Sequence, residues 1–186
     1  MQLSRIWNSP PVLVLRNTLW TLLLPGVIAG YIPWRFFGFR VGEIALGSGA
    51  YLLGIVVFAA GVLVLLWCIL EFARRGRGTL SPVDPARELV VTGLYRQVRN
   101  PMYVGVVTIL VGEAVMARSL YLALYATAFF ACANLFILVY EEPYLQRTFG
   151  SSYTHYKLHV RRWIPRASPW SQSEHREPGA HDLTIG

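Results

Sequence analysis

The chain has 186 residues, 54% of them hydrophobic and 15% charged, with a mean hydropathy of +0.43 and a net charge of +7. A soluble domain of this size carries about 25% charged residues. Intrinsic disorder, a coiled coil and a collagen-like rod are therefore excluded for the bulk of the chain, and two cysteines are too few for a disulfide scaffold. What fits is an all-α, polytopic membrane helix bundle with polar ends.

Four apolar runs follow in chain order: 12–34, 44–72, 102–117 and 120–140. A helix rises 1.5 Å per residue, so about 20 residues cross a hydrocarbon core of about 30 Å. Runs one, two and four meet that length. The third is shorter, and Arg118-Ser119 barely separates it from the fourth. A tight helical hairpin is expected there, with a re-entrant pair as the alternative. About four transmembrane helices are predicted, with a helical cap at the C-terminal side. The first run is too long for a signal-peptide core, and Pro33-Trp34-Arg35 is not a small-residue cleavage site. In the second run Gly47, Gly54, Gly61 and Cys68 recur every seven residues, a small-residue stripe suited to close helix packing. Cys68 and Cys132 both fall in apolar runs and are expected to be buried thiols.

With four spans, the N-terminus, the 73–101 segment and the C-terminus share one side. That side carries thirteen Lys and Arg, against Arg35, Arg40 and Arg118 on the other. This bias places both termini in the cytoplasm. Sixteen of the 17 cationic residues are Arg. In so apolar a chain they point to anionic headgroups rather than nucleic acid. Membrane lipids are thus the expected partners. Residues 1–167 are read as the membrane domain and 168–186 as a disordered polar tail.

Polar residues concentrate in two cytoplasmic places. In the first, Asn100 is an N-cap candidate and Pro101 fits the first helical position, so the third span starts there. A helix N-terminus also binds anions, and Arg99 adds a full charge beside it. In the second, Glu141 and Glu142 end the fourth run and lie about 100° apart on a helix. One can pair with an Arg while the other faces a cavity. Pro143 removes the hydrogen bond to the Val139 carbonyl, and Asn134 lies on nearly the same face as Glu141. His155 and His159 make no metal motif, and no serine sits in a GxSxG elbow. No metal is expected. Tyr153, Tyr156, Trp163 and Trp170 are expected as interfacial aromatics on a basic surface helix.

The sequence resembles the integral membrane methyltransferases related to isoprenylcysteine carboxyl methyltransferase and phospholipid N-methyltransferase, over residues 74–166. The Arg-His-Pro-x-Tyr-x-Gly motif of that family appears as Arg99-Asn100-Pro101-Met102-Tyr103-Val104-Gly105, with Asn100 in place of His. Its paired glutamates appear as Glu141-Glu142. Its tail appears as Phe149-Gly150-Ser151-Ser152-Tyr153-Thr154-His155-Tyr156 and Arg162-Trp163-Ile164-Pro165.

The resemblance implies S-adenosylmethionine as cofactor, held by Arg99, Asn100, Pro101, Tyr103, Glu141 and Glu142, with Arg99, Tyr103 and Glu142 catalytic. The cofactor's carboxylate suits Arg99 and the helix N-terminus, and its cationic part suits Glu141 or Glu142. The expected acceptor is lipophilic, against apolar walls at Val104, Val107, Phe136 and Val139. Carboxyl O-methylation of an isoprenylcysteine-type acceptor needs no base and is the leading expectation. N-methylation of a phospholipid ethanolamine headgroup is the alternative, with Tyr103 or Glu142 as the base. An NADPH-dependent sterol-type reductase, with Arg161, Arg162 and Arg166 reading the cofactor phosphate, ranks third, beside a lipid-binding scaffold without activity. A bacterial inner membrane is the expected location.

Overall fold

The computed structural model describes residues 23–37, 47–75, 89 and 91–171. Among these residues every extended element is a helix, and the one β feature is an isolated parallel bridge between Val98 and Arg161. The first part of the first apolar run and residues 38–46, 76–88, 90 and 172–186 lie outside the described residues.

The helical stretch 23–37 (α1) contains a π turn, Val27–Tyr31, followed by Ile32–Phe37. Helix α2, Gly49–Arg75, begins at Ser48, whose Oγ accepts from the Tyr51 N–H at 3.3 Å. A 3₁₀ turn at Gly93–Arg96 leads to α3, Pro101–Ala117. Arg118 then takes a left-handed conformation (φ 47°), and its N–H caps the carbonyls of Ala114 and Val115. Ser119 Oγ accepts from Leu122 N–H and starts α4, Leu120–Phe136. The two-residue link Arg118-Ser119 thus closes the expected tight hairpin. Helix α4 continues through a second π turn, Ile137–Glu141, into α5, Glu142–His159.

Both π turns end two residues before a proline, Pro33 and Pro143. A proline has no N–H for the carbonyl four residues back, and widening the preceding turn relieves that loss. The second π turn sets the angle at which the two glutamates leave α4.

Helices α2 and α3 run antiparallel in close contact, through glycines of both. A Cβ at Gly61 would stand 2.7 Å from Ile109 N, and one at Gly112 would stand 2.5 Å from Phe58 N. Gly54 meets Met116 in the same way. The small-residue stripe is thus a packing seam over Gly54, Gly61 and Cys68. Gly47 lies before the helix in a turn with φ of 89°. Ala29, Val106, Ile109, Leu110 and Ala126 form the core between α1, α3 and α4, flanked by Phe58, Leu65 and Tyr125. The Tyr125 hydroxyl donates to the Ile28 carbonyl at 2.9 Å, tying α4 to the π turn of α1. Glu113 is enclosed in this half of the bundle, and its Oε2 has no hydrogen-bond partner.

Among the described residues two helices are long and apolar enough to cross a membrane: α2 over Gly49–Glu71, and the helix beginning at Leu120. Their outward faces are apolar, with Leu53, Val56, Leu63, Trp67, Leu135 and Val139 exposed. Helix α3 is apolar but shorter, at 17 residues. Cys68 is buried as expected. Cys132 is not, because it faces outward from α4.

Candidate functional site

The polar residues meet where α3 begins, where α4 passes into α5, and where the chain returns after His159. Glu142 is buried and carries three cations. Arg162 Nε lies 2.7 Å and Arg99 Nη1 3.0 Å from its Oε1, and Lys157 Nζ lies 3.2 Å from its Oε2. Glu141, the next residue, is directed elsewhere: its Oε2 accepts from the Tyr103 hydroxyl at 3.3 Å. It has no cationic partner among the described residues. The π turn and the 100° step between neighbours together separate the two carboxylates.

Their electrostatics diverge accordingly. Burial alone would raise the pKa of Glu142, but Arg162, Arg99 and Lys157 outweigh it and hold the carboxyl below its ordinary range. Burial and the charge of Glu142 raise the pKa of Glu141 against the opposing hydroxyl of Tyr103. Two adjacent carboxyls whose environments push them apart suit different tasks.

A C-terminal strap, residues 160–170, closes over this centre along the segment 95–100. The Arg99 N–H donates to the Arg161 carbonyl at 2.9 Å, Arg166 N–H to the Gln97 carbonyl, and Trp170 N–H to the Arg96 carbonyl. Arg96 Nε returns a bond to the Trp170 carbonyl at 2.6 Å. Tyr153 and Tyr156 of α5, with Val160 and Trp170 of the strap itself, form a second core with Leu89, Val91, Leu145 and Phe149. Tyr153, Tyr156 and Trp170 are therefore core residues, where interfacial aromatics were expected. Trp170 also carries the packed structure past the expected start of the polar tail. Burial pushes the Tyr153 hydroxyl up to about 12, and that of Tyr156 higher.

Of the residues predicted from sequence, Arg99, Tyr103, Glu141 and Glu142 come together. Asn100 is buried beside them at the N-cap position, but its side chain makes no cap. Its Nδ2 donates to the Arg162 carbonyl at 3.4 Å, so it fastens the strap. Pro101 is buried at the start of α3. Asn134, on α4, accepts at its Oδ1 from Trp163 Nε1 at 3.1 Å. Among the apolar walls, Val107 faces a groove between α3 and α4, whereas Phe136 at the end of α4 and Val139 in the following π turn are exposed.

Sequence reasoning missed Lys157 and Tyr153. Arg99 Nη1 donates to Tyr153 at 3.5 Å, so one guanidinium nitrogen serves both Glu142 and Tyr153. Arg99 Nε is buried without a partner, and so is Thr92 Oγ1. The His155 and His159 rings lie 4.6 Å apart and are tilted by 39°, and no group of His, Cys, Asp and Glu among the described residues is arranged to hold a metal.

The family model described as phospholipid methyltransferase matches residues 50–152, from the start of α2 to the middle of α5. The strap, with Arg162 and Trp163, lies beyond the matched range. Neither the curated proteins nor the solved structures contain a match to the chain.

Proposed function

The chain belongs to the phospholipid methyltransferase family, and on that premise we propose that it moves a methyl group from S-adenosylmethionine to a lipophilic acceptor presented from the bilayer. The observation that carries this reading is the contrast between Glu142, held by three cations, and Glu141, which meets Tyr103 and no cation among the described residues.

The residues present fit the cofactor. Arg99 Nε is a buried donor without a partner, suited to a carboxylate at the N-terminus of α3. Glu141 is the carboxylate left for a cationic group. S-adenosylmethionine supplies an activated methyl on a sulfonium. Arg99, Asn100, Pro101, Tyr103 and Glu141 form its binding wall. Glu142 holds Arg99, Arg162 and Lys157 in register and so acts as a positioning residue. Tyr103 orients the Glu141 carboxylate by hydrogen bonding. Methyl transfer is an in-line displacement, so fixing these groups supplies much of the rate. The strap above them excludes water.

An isoprenylcysteine-type carboxylate acceptor needs no base and follows from this site directly. One observation favours a second reading, N-methylation of an aminophospholipid. Glu141, with its raised pKa, is matched to take a proton from an ammonium, a role that had been expected of Tyr103 or Glu142. Four spans with both termini in the cytoplasm put the site at the cytoplasmic leaflet, and a reporter at residue 40 that reads cytoplasmic would refute that orientation.

The decisive experiment is binding of S-adenosylmethionine and NADPH, in parallel, to the detergent-purified protein. It is followed by transfer of labelled methyl to a prenylcysteine analogue and to phosphatidylethanolamine. Affinity for S-adenosylmethionine alone is expected. Binding of NADPH instead would replace the methyltransferase with a reductase, and binding of neither would leave a lipid-binding scaffold. Base-labile label marks a carboxyl ester and base-stable label an amine.

A further inference from the structure

An apolar groove of about 400 Å³ runs between α3 and α4, lined by Val107, Val111, Val115, Ala126, Thr127 and Phe130 among others. That volume falls in the range of small-molecule sites. Thr127 keeps the lining apolar, because its Oγ1 donates to the Ala123 carbonyl of its own helix at 2.8 Å. The end of the groove nearer the candidate site, at Val107 and Phe130, meets the Trp163 side chain of the strap. The Trp163 ring centroid lies 4.8 Å from that of Phe130 and 6.5 Å, edge-on, from that of Tyr103. Its Nε1–H is pinned to Asn134 Oδ1 at 3.1 Å, and Asn134 stands one helical turn beyond Phe130. A single indole thus contacts Phe130 of the groove wall and Tyr103, the hydrogen-bond partner of Glu141.

We infer that this groove holds the apolar chain of the methyl acceptor and that Trp163, indexed by Asn134, is the specificity-determining residue at its upper end. The inference rests on the methyltransferase reading and extends it to a subsite. The occupant is one acyl or prenyl chain of the acceptor, because ring contacts link the groove to the reacting groups, Phe130 to Trp163 and Trp163 to Tyr103. A chain lying in it brings the attached headgroup to Glu141. The indole then sets how much chain must be in place before the headgroup passes. Long chains fill the groove and make its packing contacts, whereas short chains leave part of it without them.

The test uses the full chain in nanodiscs of phosphatidylglycerol, with long- and short-chain acceptors of the same headgroup and labelled S-adenosylmethionine. Thr127→Phe fills the groove from an exposed position. It is expected to lower kcat/KM for the long-chain acceptor about tenfold while leaving the short-chain value and S-adenosylmethionine affinity unchanged. Trp163→Ala is expected to collapse the long-to-short ratio, and Trp163→Phe to restore part of it, because a ring remains without the bond to Asn134. If Thr127→Phe loses S-adenosylmethionine binding, Val111→Phe reads the same groove from α3. An unchanged long-to-short ratio in the filling variant and in Trp163→Ala overturns the subsite while the methyltransferase stands. An unaltered protein that methylates no acceptor of either length overturns the reading beneath it.

Discussion

Lys157 Nζ lies 3.2 Å from Glu142 Oε2 although fifteen residues separate them along α5. On a straight helix that separation is about 22 Å. The contact exists because α5 breaks at Gly150, where φ is 52° and ψ −124°, and the second half folds back. Gln146 Nε2 and Thr154 Oγ1 both donate to the Gly150 carbonyl at the break.

Gly150→Ala should therefore act through backbone strain. A Cβ at this position would meet nothing within 4 Å, so crowding does not contribute. The backbone region is one that residues with a Cβ avoid, and the expected cost is about 1–3 kcal/mol. Thermal unfolding in detergent measures it, and an unchanged melting temperature would show that α5 does not depend on the break.

The two glutamates should respond differently to the same amide substitution. Glu142→Gln removes the counter-charge of Arg99, Arg162 and Lys157, and breaking a buried pair costs about 3–5 kcal/mol. The lower end applies, because the Lys157 side chain is 44% exposed. Glu141→Gln removes no ion pair among the described residues. It should leave the melting temperature in place while weakening S-adenosylmethionine binding roughly 10- to 150-fold, from the loss of about 1.5–3 kcal/mol. Calorimetric binding and melting on both variants test this separation. Equal melting losses would mean that the carboxylates share one role.

Acid should uncouple binding from folding in a fixed order. The pKa of Glu142 is lowered by its cations, so its stabilisation is complete above the unfolded carboxyl value of about 4.3 and is lost only as the pH falls through the lower folded value. The pKa of Glu141 is raised, so its ionised form disappears at milder acidity. Its neutral form suits the buried site, and acid in that window does not destabilise the fold through it. S-adenosylmethionine affinity should thus decline before the melting temperature does. Simultaneous loss of both would contradict the division between the two carboxylates.

The helices and the glycine seam were legible because they follow local rules: run length, a seven-residue recurrence, and the turn at Arg118-Ser119. The pairing of one glutamate with Arg was legible too, since adjacent residues on a helix face different ways. Lys157 was not, because its approach depends on a break at Gly150 whose direction no local pattern encodes. Asn100 shows a subtler gap. Its position at the N-cap followed from Pro101, but its side chain is taken by the Arg162 carbonyl, a partner 62 residues away. The Tyr153–Tyr156–Trp170 core was misplaced at the interface, since an aromatic on a basic helix looks the same in sequence whether lipid or protein covers it.

Glu113 was overlooked inside an apolar run, and it yields a prediction of its own. The residue is 3% exposed and its Oε2 has no hydrogen-bond partner. A buried polar group left unsatisfied costs about 1–3 kcal/mol. Glu113→Met keeps a similar length and removes that cost, so the melting temperature should rise or hold. A fall of several degrees would show that the carboxyl makes a stabilising interaction in the membrane.

The contact between α2 and α3 should be equally selective about which glycine is changed. A Cβ at Gly112 would stand 2.5 Å from Phe58 N and 2.7 Å from its Cα, backbone atoms that cannot rotate away. Gly112→Ala must push the helices apart, at about 1–3 kcal/mol for overpacking. At Gly49, in the first turn of α2, a Cβ meets nothing within 4 Å. Gly49→Ala should be neutral or stabilising by up to about 1 kcal/mol, since alanine is the better helix former. Because α3 carries Tyr103 and starts beside Arg99, Gly112→Ala should also weaken S-adenosylmethionine binding, and Gly49→Ala should not. Melting and binding measured on both variants decide the matter. If the two substitutions behave alike, the close approach of α2 and α3 does not support the site.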